Sequence, residues 1–94
     1  MPDLEGSGAA GGVRADRVVD NRGRGCANGI VRVQRALEDL PDGGVLEIRS
    51  TDRRAKREYP RLAEQTAHEL LAIEVERTGV LRKEYTVYLE IHRD

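Results

Sequence analysis

The sequence predicts a two-layer α/β sandwich of the α+β kind, with a four-stranded mixed sheet, two helices on one face, and the order β-α-β-α-β-β. Three observations predict it. Apolar residues recur every three or four positions after Cys26 and again around Leu62. Short alternating segments recur at 17–20, 45–49, 70–75 and 85–91. The turn formers Asn21-Arg22-Gly23, Pro41-Asp42-Gly43-Gly44 and Thr78-Gly79-Val80 separate these stretches. Helices and strands that are apolar on one side must bury that side against another layer, and this order of elements leaves two helices to cover one sheet face.

The elements follow in chain order. Residues 1–12 contain Gly6-Ser7-Gly8-Ala9-Ala10-Gly11-Gly12, which has little side chain to bury and much backbone entropy to lose, and reads as a disordered tail. One domain then spans residues 13–94. Its first strand lies within 13–20 and stops at Asn21-Arg22-Gly23. In the first helix Ile30, Val33, Leu37 and Leu40 share one face, while Arg32, Gln34, Arg35, Glu38 and Asp39 face outward. Its β-branched residues lower helix propensity, so it depends on packing. The segment Val45-Leu46-Glu47-Ile48-Arg49 is the second strand, and Ser50-Thr51-Asp52 offers oxygen-bearing side chains for a turn or a helix cap. A second helix places Pro60 in its first turn, where a missing amide hydrogen is harmless, buries Leu62, Ala63, Thr66 and Ala67, and ends near His68. The last two segments form a hairpin in which Tyr85, Val87, Leu89 and Ile91 share a face.

Composition narrows the function. The chain has 94 residues, enough for one modest core. With three Tyr and neither Phe nor Trp, that core is expected to consist of Val, Leu, Ile and Ala. Charged residues make up 35% of the chain but cancel to a net charge of −1, which disfavours general attraction to nucleic acid or an anionic membrane. The single Cys26 can form no internal disulfide, and with two distant histidines it supplies no structural zinc site. A reducing, cytoplasmic setting is expected, since no signal-peptide run or membrane-length apolar segment is present. There is no phosphate-binding glycine loop and no acid/base carboxylate pair, so neither a cofactor nor a metal is called for.

Cys26 carries the chemical interest. It stands where the first helix begins, and a helix N-terminus with neighbouring cations lowers a thiol pKa. Arg22 and Arg24 are the candidate cations, Gly23, Gly25 and Gly29 would leave the sulfur uncrowded, and Asn28 is the candidate helix cap. The alternative is a small buried hydrophobe, a common fate of free cysteine. Arg53, Arg54, Lys56, Arg57 and Arg61 could dock an acidic protein or a tRNA backbone. Tyr59 is the aromatic near them, so base stacking has little support and protein docking is favoured. His68 and His92 lack a Ser or Cys partner in sequence, and Asp52 reads as a cap.

Taken in order, Val19-Asp20, Gly23, Cys26 before a helix, Asp42-Gly43-Gly44, Leu46-Glu47-Ile48, Thr51-Asp52, Pro60 and His68-Glu69-Leu70 resemble the TusA (SirA-like) family. The resemblance implies a two-layer sandwich whose cysteine carries a persulfide from a donor such as a cysteine desulfurase to an acceptor protein. Roles in that family include tRNA 2-thiolation, molybdenum-cofactor supply and dissimilatory sulfur metabolism. Cys26 is the implied carrier, with Arg22, Arg24, Gly25, Ala27, Asn28 and Gly29 around the persulfide. The family motif is Cys-Pro-x-Pro, whereas this chain reads Cys26-Ala27-Asn28-Gly29. Both φ-fixing prolines are absent. The competing expectation is a non-catalytic interaction or regulatory module with an unreactive Cys26.

Overall fold

A computed structural model describes residues 13–93. The Gly-rich stretch expected to be a tail lies outside the described residues. The elements are β1 (Arg17–Asn21), α1 (Cys26–Asp39), β2 (Val45–Ser50), α2 (Ala55–Thr66), β3 (Glu69–Arg77) and β4 (Lys83–Glu90). They form the expected α+β fold. The sheet order is β1-β2-β4-β3, with β1 parallel to β2 and the other pairs antiparallel. The parallel pair follows from the α1 crossover, because a tight hairpin cannot join parallel strands.

Val19, Leu46, Ile48, Val87 and Leu89 turn one sheet face toward Val33 and Leu37 of α1 and Leu62 of α2. The apolar spacing of α1 thus does what it predicts, with Ala36 added to its buried face and Ile30 only partly buried. At the far end of α1, Arg93 donates from Nη2 and Nε to the Leu40 carbonyl at 2.7 and 2.9 Å. A cation from beyond β4 therefore satisfies carbonyls that α1, with no basic residue in its last turn, leaves open.

Four expectations change. β1 starts at Arg17 rather than near residue 13, because the Asp16 carboxylate takes the Val45 amide at 2.8 Å and the strand ladder begins one residue later, at Arg17 opposite Leu46. α2 begins at Ala55, so Pro60 is its sixth residue and not in its first turn. Asp52 makes the early start workable by accepting the Arg54 amide on Oδ1 at 2.9 Å and the Ala55 amide on its carbonyl at 2.9 Å. α2 ends at Thr66, and Ala67 leaves the apolar face to take a left-handed φ of 60°. Its amide reaches the Glu64 carbonyl and that of His68 reaches Ala63, which closes the helix in the pattern usually built on glycine. Finally, the core is not purely aliphatic. Tyr59, Tyr85 and Tyr88 are all buried.

Register positions the site. Asn21 at the end of β1 lies opposite Ser50 at the end of β2. The loops that follow these two strands, 22–25 and 51–54, therefore meet, although 26 residues of chain separate Cys26 from Asp52.

Candidate functional site

The turn into α1 is tight. The Arg24 amide donates to the Asn21 carbonyl at 3.0 Å, and Gly23 between them has φ +82°, a conformation that strains any side chain with a Cβ. The Gly23 amide also donates to Thr51 Oγ1 at 2.9 Å, tying this turn to the loop after β2. Gly25 is the N-cap residue and has no side chain to offer. Asp52 supplies the cap instead, accepting the Cys26 amide on Oδ2 at 2.9 Å. Asn28, expected as the cap, is already inside the helix with its side chain exposed.

Cys26 is the first residue of α1, and it is buried at 4% exposure. Burial pushes its thiol pKa up, and the Asp52 and Glu58 carboxylates push it the same way, while Arg54 opposes them. The expectation that the helix end, Arg22 and Arg24 lower the pKa is overturned. Arg22 is engaged elsewhere, with Asp20 at 2.7 Å and Glu84 at 3.7 Å. The Cys26 amide is spent on Asp52, whose negative charge works against ionisation of the thiol. Arg24 is exposed and is not among the charges that act on the thiol. Hydrogen bonds from Arg54 hold the Asp52 carboxyl well below the usual carboxylate range, and those from Arg22 hold Asp20 at about 2. Both stay anionic at neutral pH.

Beneath this turn lies a polar contact that the sequence did not reveal. Asn21 donates from Nδ2 to the Gly29 carbonyl at 3.0 Å and to the Tyr59 hydroxyl at 3.3 Å. Gly29 is buried against both side chains, which corrects the expectation that it opens space at the sulfur; Gly23 and Gly25 do face open space. Tyr59 keeps its proton to higher pH because of burial first, an effect the Asn21 hydrogen bond opposes, with the negative charges of Cys26 and Asp52 adding to it.

Comparison with known proteins places this arrangement. The sulfurtransferase TusA family matches residues 17–91. The chain belongs to the TusA family. YrkI of Bacillus subtilis, named as a candidate sulfur carrier, is 34% identical over 59 residues, covering 63% of this chain and 79% of YrkI. The sulfur carrier protein TusA of Pseudomonas savastanoi pv. phaseolicola is 31% identical over 61 residues, 65% of this chain and 73% of its own. A SirA-like protein of Desulfitobacterium hafniense shares the fold, with a TM-score of 0.68 at 18% identity over 82% of this chain and 99% of that one.

Around the cysteine at the entrance of α1, the flanking residues have separate surroundings. Ala27 and Asn28 face solvent, Gly29 faces the core, and Gly25 is an open N-cap. Beside the cysteine end, Asp52, Arg53, Arg54, Lys56 and Arg57 line an open groove of about 760 Å³. Arg61, grouped with them from sequence, is exposed on α2 but does not line the groove. The groove is basic at its rim, and its one carboxylate, Asp52, is held by Arg54 at 2.8 Å.

The histidines sit at the other end of the sheet. His68 accepts the His92 amide on Nδ1 at 3.1 Å, and His92 Nε2 lies 3.0 Å from Glu90 and 3.3 Å from Glu69. Glu69, Glu90 and His92 could together offer three ligand atoms to a metal ion, and their ion pairing already accounts for the arrangement. No helix among the described residues is long and apolar enough to cross a membrane. Asn21 and Tyr59 are the site residues that sequence reasoning missed. Asn21 reads locally as a turn former and Tyr59 as a neighbour of the basic run, and only their meeting at Gly29 gives them a role.

Proposed function

We propose that this chain, as a single domain over residues 13–94, is a sulfur carrier in which Cys26 holds a persulfide. The observation that carries the reading is the placement of the sole cysteine at the first residue of α1 in a chain that matches the TusA family from 17 to 91. The chemistry is a pair of thiol exchanges. The Cys26 thiolate attacks the outer sulfur of a donor persulfide, the donor S–S bond breaks, and the donor cysteine leaves as thiolate. An acceptor thiolate then attacks the outer sulfur now on Cys26 and releases it again as thiolate. Sulfur moves with no net oxidation.

In the resting protein the thiol is buried and protonated at neutral pH, which protects it from oxidation. Attack requires its exposure, which docking of a protein partner promotes and which local opening of the turn allows for a small donor. The groove lined by Arg53, Arg54, Lys56 and Arg57 receives an acidic surface of that partner, a cysteine desulfurase or a similar donor first and an acceptor protein later. Docking at residues 53–57 presents the partner's cysteine to the end of α1, because Asp52 joins the groove to the Cys26 amide. Direct binding of nucleic acid is not part of this reading.

Mass spectrometry after incubation with a desulfurase and cysteine tests it. An adduct of one sulfur atom appears on the wild type and is absent from Cys26→Ser; no loading from any protein or small-molecule persulfide donor sinks the proposal.

The burial of Cys26 and its raised pKa favour a second reading, a TusA-fold interaction module that kept the architecture and lost transfer. In that case the thiol resists alkylation in the free protein and remains unloaded in the presence of a bound desulfurase.

A further inference from the structure

Cys26-Ala27-Asn28-Gly29 contains no proline, so the restraint that proline places on φ is missing from the cysteine's own turn. A restraint arrives from outside that turn. Asn21, 1% exposed, donates to the carbonyl of Gly29, three residues beyond Cys26 in the first turn of α1, and to Tyr59 on α2. One side chain thus connects β1, the cysteine's turn and the second helix.

Gly29 is the condition for this connection. A Cβ at position 29 would stand 2.7 Å from Asn21 Nδ2, 3.1 Å from its Cγ and 3.3 Å from the Tyr59 hydroxyl oxygen. A residue with a Cβ forces the Asn21 amide to shift from this position. The arrangement also carries a penalty that a space-filling leucine at position 21 would avoid, since Asn21 Oδ1 is buried with no hydrogen-bond partner among the described residues.

We infer that Asn21, backed by Tyr59, is a positioning residue for Cys26, holding the cysteine's turn from beneath, with glycine at 29 as the matching requirement. Its importance to transfer rests on the reading of Cys26 as the sulfur carrier, whereas the placement of the thiol can be measured by itself.

The measurement is the pH dependence of Cys26 alkylation by iodoacetamide, with the melting temperature recorded in parallel. Asn21→Ala frees the turn and admits water to a thiol whose pKa is raised chiefly by burial. Its profile moves to lower pH, and alkylation at neutral pH rises by about fivefold or more. Tyr59→Phe keeps the ring, removes only the hydroxyl, and produces a smaller shift in the same direction. Gly29→Ala shifts the profile as Asn21→Ala does, and the Asn21→Ala/Gly29→Ala double variant shifts it no further, because both act on one contact. Profiles of Gly29→Ala and Tyr59→Phe that superimpose on the wild type overturn the inference whatever the melting temperatures do, and so do shifts that simply add. If Asn21→Ala does not fold, these two variants still decide. A wild type that takes no sulfur while the profiles shift as described overturns the carrier reading alone; efficient loading with unmoved profiles overturns the positioning role alone.

Discussion

Asp52 Oδ2 accepts the Cys26 amide at 2.9 Å and, on the same oxygen, Arg54 Nη2 at 2.8 Å. One anion therefore caps the helix that bears the cysteine, starts the next helix, and opposes ionisation of the thiol. Substitution separates these roles. Asp52→Asn keeps an acceptor for the amide and removes the charge, so the Cys26 thiol should titrate lower than in the wild type, and the stability that the charge lends at neutral pH through Arg54 is lost. Asp52→Ala removes both and should lower stability by about 1–2 kcal/mol, the usual loss for a helix cap. Urea unfolding and pH-dependent alkylation of the two variants check these outcomes together.

The raised thiol pKa predicts a loss of stability in alkali. The unfolded chain ionises its thiol first, so the contribution of Cys26 is complete below the unfolded pKa and disappears as pH rises through the folded one. Cys26→Ala should flatten the alkaline limb of a stability-against-pH curve. An unchanged limb would show that the thiol titrates normally.

The acid limb has the opposite sign. Asp20 and Asp52 are held below the ordinary carboxylate range, so their contribution is present above the unfolded value and is lost as pH falls through the folded one. Thermal melts at decreasing pH should show the wild type losing stability below about pH 4, with a shallower slope in Asp52→Asn.

Ala67 adopts φ 60° at the end of α2, where a Cβ is unfavourable. Ala67→Gly should stabilise the fold by about 1 kcal/mol and raise the melting temperature by about 4–8 °C. A lower melting temperature would mean that the Ala67 methyl makes a packing contribution larger than the strain.

Charge reversal in the groove tests docking. Arg53→Glu with Arg57→Glu should slow sulfur loading from a protein donor by about tenfold at low salt and reduce its salt dependence, while leaving loading from a small persulfide unchanged. Stopped-flow loading at two ionic strengths distinguishes this from a direct effect on Cys26.

Local patterns in the sequence determined the order of the elements, the buried faces of α1 and β4, and the position of Cys26 at a helix entrance, because three-and-four and alternating spacings record which side of an element meets the core. Pro60 and Ala67 misled the reading of α2. Proline preference places that residue early in a helix, but Asp52 starts the helix sooner, and the closing turn forces an alanine into a conformation that propensity assigns to glycine. What surrounds the sulfur was decided by tertiary structure alone. The parallel register of β1 and β2 brings the loops after Asn21 and Ser50 together, and from that meeting come the Asp52 cap, the Asn21–Gly29–Tyr59 contact and the burial that keeps the thiol protonated. The sequence marks Asp52 as a cap without showing that α1 is the helix it caps, and the Asn21–Gly29–Tyr59 contact and the burial of the thiol leave no local trace, since each depends on residues that only the folded sheet makes neighbours.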